Sequence, residues 1–449
     1  MKIVFSGATI CTFDMERRVL PRGVLGVNGT EISFVETEVP NGFHPDMEVD
    51  CRGCVIIPGL VNTHVHLGEQ LFKGMMDEVD FQGLFYSSLF PWEACLEPEL
   101  VYWGSLAAAV EALRCGVTTV GDMYHHSEAT ARAVEVSGIR ACIGQLVYGF
   151  SLQRPLEKAG GDFRFDSNVF EEQLAAACQF AESWDGRAEG RITTAIAPHA
   201  TNTLVPWMLE RVAQVAKDGS RLIHMHLAQM KSEYDMILKR HGLGCVELLS
   251  KVGILDCKFL GAHAIFLKRN EEKILASAHA AVAHNPIANA KDAGLIAPIV
   301  ELARAGVCIG LGTDAFHSNL LEAARFAACL HRVHTSDAKV CPAREILYWA
   351  TRGGALALGL EEIGTLEPGK KADLVVVDTG LLNTLPVEDP YTTVLYYAEP
   401  ANIRLVMVNG KIVVKEGEVL TVDLEKVKRH FIEAVKLLRS KIDKGRRAL

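Results

Sequence analysis

A chain of 449 residues with a net charge of −9 has room for one large barrel plus a small accessory domain, or for two or three ordinary domains. The acidic balance and the lack of any basic cluster argue against a nucleic-acid or anionic-membrane partner. Met1–Gly7 holds one basic residue and too short an apolar run for a signal peptide, and no apolar window approaches a membrane span, so a cytoplasmic location is expected. The twelve cysteines lie mostly within apolar stretches such as Ala175-Ala176-Ala177-Cys178, which reads as buried reduced thiols rather than a disulfide framework or a thiolate metal site.

Residues 1–56 carry short apolar or alternating runs, Ile3-Val4-Phe5, Val24-Leu25-Gly26-Val27 and Ile32-Ser33-Phe34-Val35, broken by Gly, Asn and Pro; they read as the first part of a small β-module. Cys54-Val55-Ile56-Ile57 has the look of a short buried strand, and after Pro58-Gly59 a second extended stretch ends at His64-Val65-His66. From 57 to 358 strand and helix alternate. A helix from Pro98 to Cys115, with Pro near its start and Gly116 just past its end, feeds the strand Val117–Val120. The unit recurs before Ile139–Ile143, Ile192–Ile196, Leu222–His226, Phe259–His263, Ala280–His284 and Val307–Leu311. Eight strands alternating with helices imply an α/β fold with a parallel sheet closed as a (β/α)8 TIM-like barrel. The long connection from Tyr148 to Asn168 reads as a loop near the active face or, equally, a surface insertion.

Residues 359–422 return to strands, with Asn409-Gly410 as a hairpin signal between two apolar runs. They are expected to pair with the N-terminal strands in a small β-sandwich domain flanking the barrel. Residues 423–449 have helical spacing and strong charge, the pattern of a surface helix or, alternatively, of an oligomer contact.

Histidines cluster at or just after the carboxyl ends of these strands, the barrel face where catalytic groups converge. His64 and His66 end the first, His199 follows the fourth, His226 ends the fifth, His263 the sixth and His284 the seventh, and Asp314 follows the eighth in Gly312-Thr313-Asp314. Side chains at i and i+2 leave one face of a strand, so His64 and His66 can converge on one point. Three imidazoles and a carboxylate suit zinc or iron(II). Purely structural roles compete with functional ones for His199, His263 and His284. His125 and His126 read as solvated loop residues, and His224 as facing the helix shell. Phe72, Met75, Met76, Phe81 and Phe85 could wall an apolar pocket or simply pack.

Pro58–His66, Ala197-Pro198-His199, His224–Ala228, Ala262-His263, Gly312-Thr313-Asp314 and Leu366–Leu374 stand in the order found in the amidohydrolase superfamily. The chain resembles most the branch of S-adenosylhomocysteine/methylthioadenosine deaminases, guanine deaminases and triazine chlorohydrolases. That resemblance implies one divalent ion, zinc or alternatively iron(II), held by His64, His66, His226 and Asp314. It also implies that His263 and Asp314 take the proton of the metal-bound water and that His199 and His263 contact substrate. A binuclear site usually needs a bridging lysine or carboxylate after the fourth strand, where Ala197-Pro198-His199 stands, so one metal is expected. A small heterocyclic substrate and a homo-oligomer, dimer or tetramer, complete the expectation.

The chain departs from the branch at two places. Gln229 stands where these deaminases carry Glu three residues after the third ligand, a catalytic and substrate-binding position. A carboxamide can donate a hydrogen bond but cannot shuttle a proton to a ring nitrogen. Glu233 lies one helical turn further on. Gly83-Leu84 replaces the Glu-Trp pair of the S-adenosylhomocysteine deaminases. Three functions therefore stand: hydrolytic deamination of an amino-substituted purine, pterin, pyrimidine or triazine by a metal-bound hydroxide; dechlorination or amide, urea or carbamate cleavage by the same site; and a metal- and ligand-binding barrel without turnover.

Overall fold

The computed structural model describes residues 1–75, 89–152, 163–292 and 294–448. The N-terminal strands are β1 (Lys2–Cys11), β2 (Val19–Asn28), β3 (Glu31–Glu36), β4 (Met47–Asp50) and β5 (Cys54–Pro58). The next eight are β6 (Leu60–Val65), β7 (Val117–Tyr124), β8 (Arg140–Val147), β9 (Ile192–Pro198), β10 (Leu222–Leu227), β11 (Phe259–His263), β12 (Ala281–His284) and β13 (Cys308–Leu311). They pair in parallel as a closed barrel in which β13 returns to β6.

The barrel strands are buried on both faces, as parallel strands covered by helices must be. Their alternation sorts side chains into two sets. Ile223, Met225 and Leu227 of β10 and Val282 of β12 join the apolar layer shared with the helices. Leu222, Ala281 and Ala283 instead cluster with Val61, Cys142, Ala195, Leu260 and Ala262, and with Leu358, Leu360 and Ile363. His224 and His226 share the parity of Leu222, and His224 packs on His64 with Nε2 2.9 Å from its Nδ1. The expectation that His224 faces the helix shell is thereby overturned: residues two apart on a strand leave the same face.

After the barrel come β14 (Leu374–Asp378), β15 (Ile403–Val408), β16 (Lys411–Lys415) and β17 (Glu418–Val419). The flanking module built from both termini is one mixed sheet of nine strands, ordered β17-β16-β15-β14-β5-β1-β2-β3, with β4 parallel to β1. Ile57 and Pro58 still belong to this sheet, and the chain enters the barrel at Leu60. Ile3, Phe5, Ile10, Leu25, Ile56, Leu374, Val376 and Met407 of the sheet form one buried core cluster. Two of its hairpin turns touch: at Gly410, where φ is +74°, a Cβ would lie 1.9 Å from the Gly29 carbonyl oxygen, so only glycine fits.

A buried ion pair ties sheet and barrel. Arg140, at the start of β8, donates through Nε and Nη2 to the two oxygens of Asp373 at 2.7 and 3.1 Å, and the Asn409 N–H adds a third bond to Asp373 at 2.6 Å.

The helix Leu424–Ala448 buries Ala434, Leu438 and Ile442 beside Trp92, Leu96 and Leu100, and stacks His430 on Trp103. All twelve cysteines are unbridged. Cys51 and Cys54, spaced as Cys-x-x-Cys, are buried, and burial pushes the Cys51 thiol up to about 12, so the pair is an inert part of the core. Among the described residues no helix is long and apolar enough to cross a membrane.

Candidate active site

His64 and His66 leave the end of β6 and His226 the end of β10, while Asp314 follows β13. The turn that carries Asp314 is bound to β6. The N–H groups of Thr313 and Asp314 donate to the His64 carbonyl at 3.2 and 3.0 Å, and Asn62 both donates to the Thr313 hydroxyl at 2.7 Å and accepts from its N–H at 3.1 Å. Gly312 makes the approach possible: a Cβ there would lie 2.1 Å from Asn285 Oδ1 and 3.0 Å from the His64 carbonyl oxygen. Asp314 and His263 both hold positive φ, +61° and +79°, a backbone cost carried at the site.

The imidazoles are oriented from behind. His66 Nδ1–H donates to the Met123 carbonyl at 2.6 Å and His226 Nδ1–H to the His199 carbonyl at 2.9 Å, which leaves each Nε2 with its lone pair toward the barrel axis. Those two Nε2 atoms lie 3.2 Å apart, and Asp314 Oδ1 is 3.4 Å from His64 Nε2 and 3.3 Å from His66 Nε2. Two acceptor nitrogens cannot hydrogen-bond each other. Ligand atoms about 2.05 Å from a tetrahedral ion stand about 3.4 Å apart, so these spacings are those of a coordination sphere. The His64 Nε2 atom is buried without a hydrogen-bond partner, as a ligand atom facing an ion is. His64, His66 and Asp314 form one candidate metal group, and His64, His226 and His263 another that shares His64. Burial, reinforced by the neighbouring imidazoles, holds His226 well below the usual imidazole range, in the neutral form that coordinates a metal.

His263 donates from Nδ1 to Asn289 Oδ1 at 2.8 Å, and its buried Nε2 lies 3.7 Å from Asp314 Oδ2. His199 stacks on Tyr148, with ring centroids 4.6 Å apart, and lines the pocket over the cluster. Gln229 lines that pocket as well, half-buried, while its backbone N–H donates to Glu233 Oε2 at 2.9 Å. Glu233 also accepts from the Thr201 hydroxyl; it braces the turn after β10 and is not among the pocket-lining residues. His284 pairs with His331 at 3.0 Å behind the site, and His126 Nε2 bonds the Leu96 carbonyl at 3.2 Å. His125 is not a solvated loop residue: its side chain is 15% exposed, stacks on Tyr148 and lies 3.5 Å from Glu93. It sits there because β7 runs on to Tyr124 and delivers His125 into the aromatic wall.

The pocket spans about 820 Å³ of space between its walls, open solvent at its mouth included. Its wall adds residues that sequence reasoning passed over: Glu69, Leu89, Glu93, Tyr124, Tyr148 and Asp292. Burial, with like charge from Glu93 and Asp314, pushes Glu69 well above the usual carboxylate range, against the pull of His66. The only signal was a pair of carboxyls set among apolar neighbours, Glu69 three residues after His66 and Glu93 in Phe90-Pro91-Trp92-Glu93. Phe72 packs against Trp92, and Met75 joins the same cluster. Met76, Phe81, Phe85, Gly83 and Leu84 lie outside the described residues. The connection after β8 does reach the active face at its ends, where Phe163 stacks on Phe150 beside Tyr148.

A model of the amidohydrolase family matches residues 55–413, from β5 to β16. The chain belongs to that family. It is 38% identical over 433 residues to the 5-methylthioadenosine/S-adenosylhomocysteine deaminase of Moorella thermoacetica, covering 95% of this chain and 97% of that one. It is 35% identical over 430 residues, 95% of each chain, to the 5'-deoxyadenosine deaminase of Methanosarcina acetivorans. Among solved structures, an adenosine deaminase of Xanthomonas campestris with bound zinc superposes with a TM-score of 0.88 at 26% identity, covering 98% of both chains. An atrazine chlorohydrolase of Arthrobacter aurescens complexed with zinc superposes at 0.87 with 25% identity, covering 96% of this chain and all of the other.

Proposed function

We propose that this amidohydrolase removes the exocyclic amine of an adenine nucleoside as ammonia, with 5'-deoxyadenosine, 5-methylthioadenosine and S-adenosylhomocysteine as the substrate class. The observation that carries the reading is the His64, His66, His226 and Asp314 cluster, whose atoms have coordination-sphere spacing, in a chain whose relatives of 35–38% identity over 95% of its length are deaminases of such nucleosides.

Those four residues would hold one divalent ion, zinc as in the structural neighbours or, alternatively, iron(II). Such an ion supplies a Lewis acid that brings the pKa of water from about 16 to about 7, giving a nucleophile at neutral pH. Asp314 takes the first proton of the attacking water and passes it to the departing amine. His263, kept neutral by burial and fixed through Asn289, hydrogen-bonds the oxygen that adds to carbon. His199, stacked on Tyr148, and Gln229 bind the heterocycle, Gln229 by hydrogen bonds only. Water adds to the ring carbon, its carbon–nitrogen bond breaks, and the products are the ring carbonyl and ammonia.

Gln229 favours a second reading, displacement of a leaving group other than an amine, such as chloride from a triazine. Metal analysis and an ammonia screen on the three nucleosides, adenosine and aminotriazines test the first; chloride release from chlorotriazines tests the second. One metal per chain with ammonia from a nucleoside is the expected result, and a full metal complement with chloride but no ammonia would replace the first reading by the second.

A further inference from the structure

We propose that Glu93 determines specificity for the sugar: its carboxylate accepts hydrogen bonds from the vicinal 2'- and 3'-hydroxyls of the nucleoside, with the Tyr124 hydroxyl beside it. This deepens the deaminase reading above and rests on it. Glu93 closes the short helix Phe90–Glu93, and Tyr124 ends β7. Both are buried, at 6% and 1% exposure, and both line the pocket that holds Gln229, His199 and Asp314.

The fold does not use up these polar atoms. Glu93 Oε2 and the Tyr124 hydroxyl are buried without a hydrogen-bond partner. His125 Nε2, 3.5 Å from Glu93 Oε2, has none either; it backs the carboxylate and is not among the pocket-lining residues. Buried polar atoms are costly to leave unpaired, and in a ligand pocket a few such atoms among apolar walls are what fixes the ligand. Two other carboxylates show the contrast. Glu233, equally buried, is satisfied by Thr201 and by the Gln229 backbone. Asp292 is half-buried next to the exposed Lys291, where water reaches it.

Position selects the part of the substrate. Ring centroids step away from the metal cluster, from His226 to His199 at 4.8 Å, on to Tyr148 at 4.6 Å and to His125 at 5.8 Å. A second row, from His66 to Tyr124 at 5.6 Å and on to His125 at 5.0 Å, ends at the same place. Glu93 stands there, so a purine whose reacting carbon faces the cluster meets Glu93 with the group it carries, its sugar. Donor chemistry agrees. A carboxylate only accepts, and so do the ring nitrogens N1, N3 and N7 of adenine. The exocyclic amine is taken to the metal cluster, which leaves the sugar hydroxyls as donors. The three nucleosides named above share the 2'- and 3'-hydroxyls and lack a 5'-hydroxyl, so the vicinal pair is what one subsite reads in all of them.

The test compares ammonia release from 5'-deoxyadenosine, 2',5'-dideoxyadenosine and 3',5'-dideoxyadenosine. Wild type is expected to favour the first by about 10-fold or more in kcat/KM, mostly through KM. Glu93→Met keeps the volume and removes both acceptors; it should keep its metal and treat the three substrates within about two-fold of one another. Glu93→Gln retains one uncharged acceptor, should fall between the two, and serves where methionine disturbs folding. Tyr124→Phe should narrow the preference by about three-fold, and an unchanged preference there would take Tyr124 out of the subsite. Wild type that releases ammonia equally from all three overturns the proposal and leaves the deaminase reading standing. A Glu93→Met enzyme that loses the same factor on every substrate, with the preference intact, makes Glu93 structural and overturns it as well. No ammonia from any nucleoside removes the deaminase reading and the proposal with it.

Discussion

Asp373→Asn should be the most damaging conservative change outside the active site. The substitution preserves shape but removes the counter-charge of Arg140, which is 2% exposed and besides Asp373 donates only to the Gly190 carbonyl and to Asn409 Oδ1. Breaking one partner of a buried pair costs about 3–5 kcal/mol, because the remaining charge cannot be rehydrated. Against a typical total stability of about 5–15 kcal/mol that is from about a fifth to the whole. Urea denaturation followed by far-ultraviolet circular dichroism reads the loss directly as a lower midpoint at unchanged slope. The pair couples β8 of the barrel to the start of β14, so both units should unfold in the one transition. Arg140→Met combined with Asp373→Leu should recover most of the loss, since two well-packed apolar residues replace a buried pair at little cost. A loss below about 1 kcal/mol for Asp373→Asn would refute the reasoning and imply that water reaches Arg140.

His226→Ala should lose bound metal and activity together, by metal analysis and turnover on one sample, and chelation of the wild type should lower its unfolding midpoint, because an ion at about 1,000 times its Kd stabilises by about 4 kcal/mol. His263→Ala should keep its metal and lose about 100-fold or more in turnover; unchanged turnover would remove its assigned role. Against the opposing cost of burial, hydrogen bonds from Arg18 hold the Asp14 carboxyl below the usual carboxylate range. Its stabilising contribution is therefore present above the unfolded pKa of about 3.9 and lost as pH falls through the folded value, so Asp14→Asn should flatten the acid limb of stability against pH.

The convergence of His64, His66, His226 and Asp314 was legible because it is written in strand periodicity. A His-x-His at a strand end, one histidine at the end of another strand and an aspartate just past a third need only the parallel barrel to bring them together. The same periodicity, applied with the wrong parity at His224, put a residue that bonds His64 into the helix shell. Glu69, Glu93 and His125 were not legible as a group. Each enters the wall from a short helical turn in the connection after β6 or from just past the end of β7, and what distinguishes them is burial beside one another, a long-range property with no local pattern. Arg140 and Asp373, separated by more than half the chain, escaped for the same reason.

The wall also decides what Gln229→Glu should do. The backbone of residue 229 is pinned by Glu233 and the preceding Ala228 holds a left-handed φ of +48°, so the side chain keeps its place in the pocket when amide becomes carboxyl. There it joins Asp292, whose carboxyl burial and the charge of Asp314 push up to about 8. The same low dielectric and like charge raise a new carboxyl toward neutrality, where it can hold a proton at working pH. Gln229→Glu should then raise ammonia release from amino-heterocycles by supplying a proton carrier. A displacement whose leaving group needs no proton, such as chloride, should gain nothing, so the ratio of ammonia to chloride release is the quantity to measure. A fall in ammonia release on Gln229→Glu would mean that the substrate requires the amide as a hydrogen-bond donor at this position, and that its ring nitrogen is an acceptor which must stay unprotonated when the substrate binds.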